Sequence, residues 1–312
     1  MGKYVTAAEA VQVVKSGDRV YVQAAAATPT ILTKALAERA SELRNVEVCH
    51  LHTEGDAPYA NPELAESFHV NSFFIGANVR HTLKAGNGSY TPVFLSELPL
   101  LFRKNVVKLD VAFIHVSPPD SHGYCSLGVS VEASVAAIEN AKIVIAQVNP
   151  QMPRTFGDGI LHVSEIDYLV EVNLPIYAHA VTPFTAVEEK IGTYVASLIE
   201  DKSTLQMGIG SIPNAALSKL TNHKDLGLHT EMFSDGVIDL IENDVINCNY
   251  KGTLRGRALA TFLMGSKRLY DFVDDNPFIE MKESSMVNDT ARIRKNPRMV
   301  SINSAIEVDL TG

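Results

Sequence analysis

Residues 11–36 read VQVVKSGDRVYVQAAAATPTILTKAL, and residues 195–220 read VASLIEDKSTLQMGIGSIPNAALSKL. At one constant offset Pro29 falls on Pro213 and Leu36 on Leu220. Each copy has the order helix, polar turn, short apolar strand, small-residue loop, proline, helix. The strands that follow, Val46-Glu-Val-Cys and Leu226-Gly-Leu-His, also correspond after a small gap. Self-similarity on this scale is expected of two domains with one fold. The pattern is interrupted between Pro175 and Val187, where Pro175 and Pro183 stand in mixed composition, so the expected units are 1–185 and 186–312.

Outward from the first copy, strand and helix signals alternate. Thr6-Ala-Ala-Glu9 has the form of a capping box ahead of a helix running to about Lys15. Helical spacing returns in Thr30 to Leu43, Leu95 to Arg103 and Val131 to Asn140. Val20 onward, Val46 to Leu51, Phe73 to Ile75, Val111 to Val116, Ile143 to Val148 and Leu169 to Val172 are short apolar runs, as buried parallel strands are. The alternation predicts an α/β fold with two related, open, mostly parallel units. The final stretch from Met299 reads as a buried strand and the start of a turn, so the second unit is expected to be incomplete.

With 312 residues, 46% of them hydrophobic, the chain can bury two cores. A formal net charge of −9 argues against nucleic acid or an anionic membrane surface as partner. No apolar run reaches the roughly 18 residues a membrane helix needs. The three cysteines, Cys49, Cys125 and Cys248, are far apart and odd in number, which fits a reducing cytoplasm better than a disulfide framework. His50 and His52 share a face if they lie on a strand, but no third ligand stands nearby and no metal is expected.

Two stretches could carry chemistry. In LGLHTEMFSDG (226–236), Leu226 and Leu228 alternate with Gly227 and His229, and Glu231 follows at once. Ser234-Asp235-Gly236 then turns the chain into a helix beginning near Val237. A carboxylate past the carboxyl end of a strand stands where open α/β sheets place ligands, although by position alone such a residue is usually a solvated or helix-starting charge. In MGIGSIPN (207–214), Gly208 and Gly210 lie between a strand and a helix, where backbone N–H groups can face an anion or a developing oxyanion. Pro213 occupies the place of the third glycine of a dinucleotide fingerprint. Both stretches follow neighbouring strands and should open on one edge of the sheet. The loop Ser117-Pro-Pro-Asp-Ser-His-Gly-Tyr-Cys-Ser (117–126) holds His122 and Cys125, and reads as a stiff substrate-shaping loop rather than a nucleophile pair.

With these residues assembled, the chain resembles the family I coenzyme A transferases, in the branch of acetyl-CoA hydrolase/transferase and 4-hydroxybutyrate CoA-transferase. GSYTPVFLSELP (88–99), VSPPDSHGYCSLGVS (116–130), HVSEID (162–167), LIEDKSTLQMGIGSIPNA (198–215), LGLHTEMFSDG (226–236), TFLMGSKRLYDF (261–272) and INSAIEVD (302–309) carry the resemblance. It implies two related α/β domains around a cleft, with Glu231 as the catalytic glutamate. It places coenzyme A contacts at Gly208, Ile209, Gly210, Ser211 and Ile212, with a further one from the last strand near Ile306. Coenzyme A would be a substrate, with no permanently bound cofactor. The partners would be an acyl-CoA (4-hydroxybutyryl-, butyryl- or acetyl-CoA) and a short-chain carboxylate such as acetate; self-association is left open. The family continues for about a hundred residues beyond the matching end. An acyl-CoA hydrolase and a non-catalytic metabolite-binding protein are the alternatives.

Overall fold

A computed structural model describes residues 2–180 and 183–312. Its first half is organised by eight parallel strands. In spatial order they are Lys3–Tyr4, Tyr168–Glu171, Ala141–Val148, Leu109–Val116, Arg19–Val22, Val46–His50, Phe68–Ser72 and Gly88–Tyr90. After the edge strand Lys3–Tyr4, the chain enters near the middle with Arg19–Val22 and works outward to Gly88–Tyr90. It then returns to lay Leu109–Val116 on the opposite side of Arg19–Val22. The direction of winding therefore reverses between these two strands, the position at which doubly wound sheets open a crevice.

The central strands are apolar on both faces because helices cover both. In Leu109–Val116 only Asp110 is not buried. The capping box is present: the Thr6 hydroxyl accepts the Glu9 amide, and the Glu9 carboxylate accepts the Thr6 amide at 2.8 Å. The helix is shorter than its apolar pattern suggested, ending at Ala10 and passing into a tighter turn over Val11–Val13. Phe73 to Ile75 is not a strand. The strand there is Phe68–Ser72, and its pairing with Val46–His50 ends at Ser72.

The second half repeats the opening of the first. Thr185 and Glu188 form a second capping box and start the helix Ala186–Ser197. The strand Thr204–Met207 and the helix Ser211–Leu217 follow, as Arg19–Val22 and Thr30–Glu38 follow Thr6. On the strength of these two matching starts, we propose 1–185 and 186–312 as the structural units. Thr204–Met207 pairs in parallel with Met299–Ile302 on one side and Gly227–Leu228 on the other. A parallel bridge from His229 to Leu259 then leads to Ala258–Ala260, Ile279–Met281 and finally Phe156–Gly157, a strand lent by the first half. The apolar interior is shared as well. Ile114, Val116 and Leu161 lie in one buried cluster with Leu205, Leu228 and Phe233. The halves are thus joined by a core and a strand pairing as well as by a linker.

Candidate active site

The segment from Leu226 to Phe233 changes partners as it runs. Gly227–Leu228 pairs with Thr204–Leu205, whereas Met232–Phe233 pairs with Phe262–Leu263. Glu231 occupies the bend between the two pairings. Its carbonyl oxygen accepts the Thr261 amide at 2.9 Å and the Phe262 amide at 3.1 Å. Just before it, the buried Thr230 hydroxyl accepts the Met207 amide at 3.0 Å and donates to the Met232 carbonyl at 2.9 Å. The backbone on both sides of the carboxylate is therefore fixed by hydrogen bonds, which is what positioning a reacting group requires. After it come a single tight turn, Asp235–Val237, and the helix Ile238–Glu242 expected from the sequence.

The Glu231 side chain is half-buried and faces a cavity of about 290 Å3, lined also by Gln206, His229, Asn288, Ser301 and Asn303. Gln206 Nε2 is 3.5 Å from Glu231 Oε2. His229 is buried; its Nε2 is 2.7 Å from the Val287 carbonyl, so that nitrogen is the donor, and its Nδ1 accepts from Asn296 at 2.9 Å. Desolvation lowers its pKa and favours the neutral ring. Asn288 has its side-chain oxygen buried beside the same cavity with no partner among the described residues. Asn288 and Ser301 lie in no sequence motif, and Gln206, although inside the 198–215 segment, has no role that the sequence assigns. Gln206 and Ser301 are register partners on adjacent parallel strands, and such pairing is not legible from one chain.

The glycine loop opens elsewhere. Gly208, Ile209, Gly210 and Ser211 line a separate cavity of about 600 Å3, together with His179, Asp235, Gly265 and Arg268. Glu231 is not among the residues lining it, whereas its neighbour Met232 is. Both stretches follow parallel neighbouring strands and leave the sheet at the same end, as expected, but they line different recesses. Successive residues of an extended segment face opposite ways, and Glu231 and Met232 divide between the two recesses.

Gly208 is needed for close approach: a Cβ there would meet the Asn303 side-chain oxygen at 2.6 Å and the Ile302 carbonyl at 2.9 Å. Gly210 has φ +126 and stands at the N-cap of Ser211–Leu217. The Gly208 amide donates to Ile302 at 2.7 Å, so it is not a free oxyanion donor. The Ile209 and Gly210 amides make no hydrogen bond among the described residues. Ser211 donates its hydroxyl to Glu188, which ties the loop to the second capping box. Ile212 lies on the helix and does not line the cavity. Ile306 lies four residues beyond the last strand, which ends at Ile302, and is fully exposed.

The far wall of the larger cavity comes from the linker. The His179 amide donates to the Gly265 carbonyl at 2.9 Å, and Tyr270 donates its hydroxyl to the Tyr177 carbonyl at 2.7 Å. The His179 ring reaches Glu54 of the first half at 3.6 Å. Desolvation raises the Glu54 carboxyl above its ordinary value against the opposing pull of His179. Arg268 projects over this recess but is held by Asp239 at 2.6 Å and Glu242 at 3.2 Å.

The remaining sequence candidates have structural places. Cys125 is in the core, with its thiol pushed up to about 11 by burial, and the loop before it is braced by Asp120, which accepts the His122 and Tyr124 amides. His50 is wholly buried 6.0 Å from the Tyr59 ring, whereas His52 packs edge-on between Phe74 and Phe262. Burial lowers both to about 4. No helix is long and apolar enough to cross a membrane among the described residues.

Known proteins match this arrangement along the whole chain. The acetyl-CoA hydrolase/transferase N-terminal domain matches residues 1–179, and the C-terminal domain of the same name matches 265–312. A succinyl-CoA:acetate/propanoyl-CoA:succinate CoA transferase of Fasciola hepatica is 46% identical over 96% of this chain, which spans 63% of that protein. The 4-hydroxybutyrate coenzyme A transferase of Clostridium kluyveri is 45% identical over 99% of the chain and 72% of its own length. The crystal structure of 4-hydroxybutyrate CoA-transferase from Porphyromonas gingivalis superposes with a TM-score of 0.87 at 40% identity, over 99% of this chain and 74% of that one. Family model, sequence identity and superposition agree, and the chain belongs to the acetyl-CoA hydrolase/transferase family.

Proposed function

We propose that the chain carries the catalytic glutamate of a CoA-transferase that moves coenzyme A between a short-chain acyl-CoA and a carboxylate. The observation that carries this is Glu231, a carboxylate with both flanking peptides fixed and its side chain turned into a cavity. A carboxylate is a weak nucleophile in water, but attacks a thioester when it is held and partly desolvated. One Glu231 oxygen adds to the acyl carbonyl and expels CoA thiolate, leaving a mixed anhydride. The thiolate then adds to the glutamyl carbon and expels the free acid, leaving a glutamyl-CoA thioester. An incoming carboxylate reverses both steps and departs as the new acyl-CoA. The kinetics are ping-pong.

Gly208, Ile209, Gly210, Ser211 and Ile212 form the loop and first helical turn assigned to coenzyme A, with the free Ile209 and Gly210 amides as its anion donors. Ile306, exposed beyond the last strand, is the further contact assigned to the coenzyme. The names of the relatives make acetate, butyrate, 4-hydroxybutyrate and succinate the acids to try first. Buried free cysteines fit a cytoplasmic setting.

Hydrolysis is the second reading, favoured by the named hydrolase among the relatives: water reaching the same thioester releases the acid. The test is incubation with acetyl-CoA and butyrate, reading acyl-CoA products and free thiol separately. Butyryl-CoA formation that is lost in Glu231→Ala is the expected result. Thiol release without butyryl-CoA would replace the transferase with a hydrolase. Acyl-CoA binding without either product would leave only a binding protein.

A further inference from the structure

We infer that Gln206 is the positioning residue for Glu231 and the hydrogen-bond donor to the glutamyl oxygen that stays on the enzyme through the cycle. The inference rests on the assignment of Glu231 as nucleophile. Gln206 lies on Thr204–Met207, directly beside Ser301 of the neighbouring strand. Its Oε1 accepts from Asn303 Nδ2 at 3.0 Å and from the Ser301 hydroxyl, while Asn303 Nδ2 also reaches the Ser301 oxygen at 2.9 Å. Its Nε2 faces Glu231 Oε2 at 3.5 Å and Asn303 Oδ1 at 3.5 Å. The surrounding contacts assign this orientation of the amide. Reversed, its NH2 would face the Asn303 NH2 and its oxygen would face a carboxylate, two repulsive pairs in place of two attractive ones. Ser301 and Asn303 therefore aim the Gln206 N–H at Glu231.

This orientation divides the labour of the two carboxylate oxygens. Oε2 faces the Gln206 N–H, and Oε1 is the oxygen left to attack. In the mixed anhydride Oε1 bridges to the acyl group and Oε2 is the glutamyl carbonyl oxygen. When CoA thiolate adds to the glutamyl carbon, the electron pair of that C=O moves onto Oε2. The tetrahedral centre collapses by breaking the bond to Oε1, which leaves with the free acid. Attack by the second carboxylate on the thioester again loads Oε2 with charge before thiolate departs. At both stages the Gln206 N–H is placed at the oxygen on which charge develops. The 3.5 Å separation is that of the resting carboxylate, and such contacts shorten as charge builds.

The test uses rapid quench and intact mass to follow the appearance of the CoA adduct on the chain after mixing with acetyl-CoA, with melting and acetyl-CoA affinity measured in parallel. Removing one oxyanion donor lowers a rate by about 10²–10³-fold, and Gln206→Ala is expected to slow adduct formation to that extent with affinity and melting little changed. Gln206→Glu keeps the size but presents an acceptor to a carboxylate. It should be equally slow at neutral pH and recover as the pH falls, because the introduced carboxyl regains a donor when protonated. A merely structural role would not give acid rescue. Adduct formation at the wild-type rate in Gln206→Ala, or no acid rescue in Gln206→Glu, overturns the role of Gln206 and leaves Glu231 standing. No adduct on the wild-type chain removes the Glu231 assignment and this inference with it.

Discussion

Burial of His50 gives the protein an acid sensitivity whose size can be worked out. The imidazole is wholly enclosed at the end of Val46–His50, and its two ring nitrogens have no hydrogen-bond partner among the described residues. Desolvation dominates and lowers its pKa from 6.5 to about 4. The unfolded chain therefore binds a proton at higher pH than the folded one. The stability tied to the neutral ring is fully present above pH 6.5 and is lost as the pH falls through 4. At 1.36 kcal/mol per unit the whole contribution is about 3.4 kcal/mol, of which about 2 kcal/mol falls between pH 7 and pH 5. Leucine has similar bulk, packs against Tyr59 and carries no proton. Urea unfolding of His50→Leu and wild type at pH 7 and pH 5 isolates the effect. The variant should lose about 2 kcal/mol less than wild type over that interval. At pH 7 it should be no less stable, since it also removes unpartnered buried nitrogens. An identical pH dependence in the two proteins would refute the reasoning, because it would mean that His50 charges as readily in the fold as in water.

Further outcomes follow from the contacts. Arg103 of the first half clamps Glu283 of the second through two bonds of 2.6 and 2.7 Å, and the Glu283 side chain is only 6% exposed. Arg103→Ala should destabilise the chain by about 2 kcal/mol in urea unfolding, below the ~3–5 kcal/mol of a fully buried pair because Arg103 is one-third exposed; no loss would show that the clamp does not join the halves. Gly208→Ala forces a methyl against the Ile302 carbonyl and the Asn303 side chain. It should cost about 1–3 kcal/mol in the same assay and slow CoA adduct formation, whereas wild-type stability would show that the loop has room to spare.

Much of the framework was legible because local chemistry and the fold agree. The Thr6 capping box, the apolar runs at 19–22, 46–50, 109–116 and 141–148, and the repeat centred on Pro29 and Pro213 each need only neighbours in sequence. The second capping box, Thr185 and Glu188, carries the same signature, but the irregular linker beside it masks the start of the helix. The Phe156–Gly157 strand was hidden for a different reason. Two residues show no period, and their partner lies more than a hundred positions away, in the other half. In the site, Glu231 and the glycine loop could be found from strand-end chemistry. Their separation into two cavities could not, since it depends on the segment exchanging Thr204–Leu205 for Phe262–Leu263 as partner. Gln206 was invisible for the same reason, because its meaning comes from Ser301 across the sheet.

The most direct test of the central claim is to quench the chain with borohydride after exposure to acetyl-CoA and map the reduced residue by tandem mass spectrometry. Borohydride converts a glutamyl thioester to an alcohol and leaves a free carboxylate untouched. Reduction at Glu231, present only after acetyl-CoA and absent in Glu231→Ala, is the predicted result. Reduction at another carboxylate, or none on the acetyl-CoA-treated wild-type chain, would contradict the assignment of Glu231 as nucleophile.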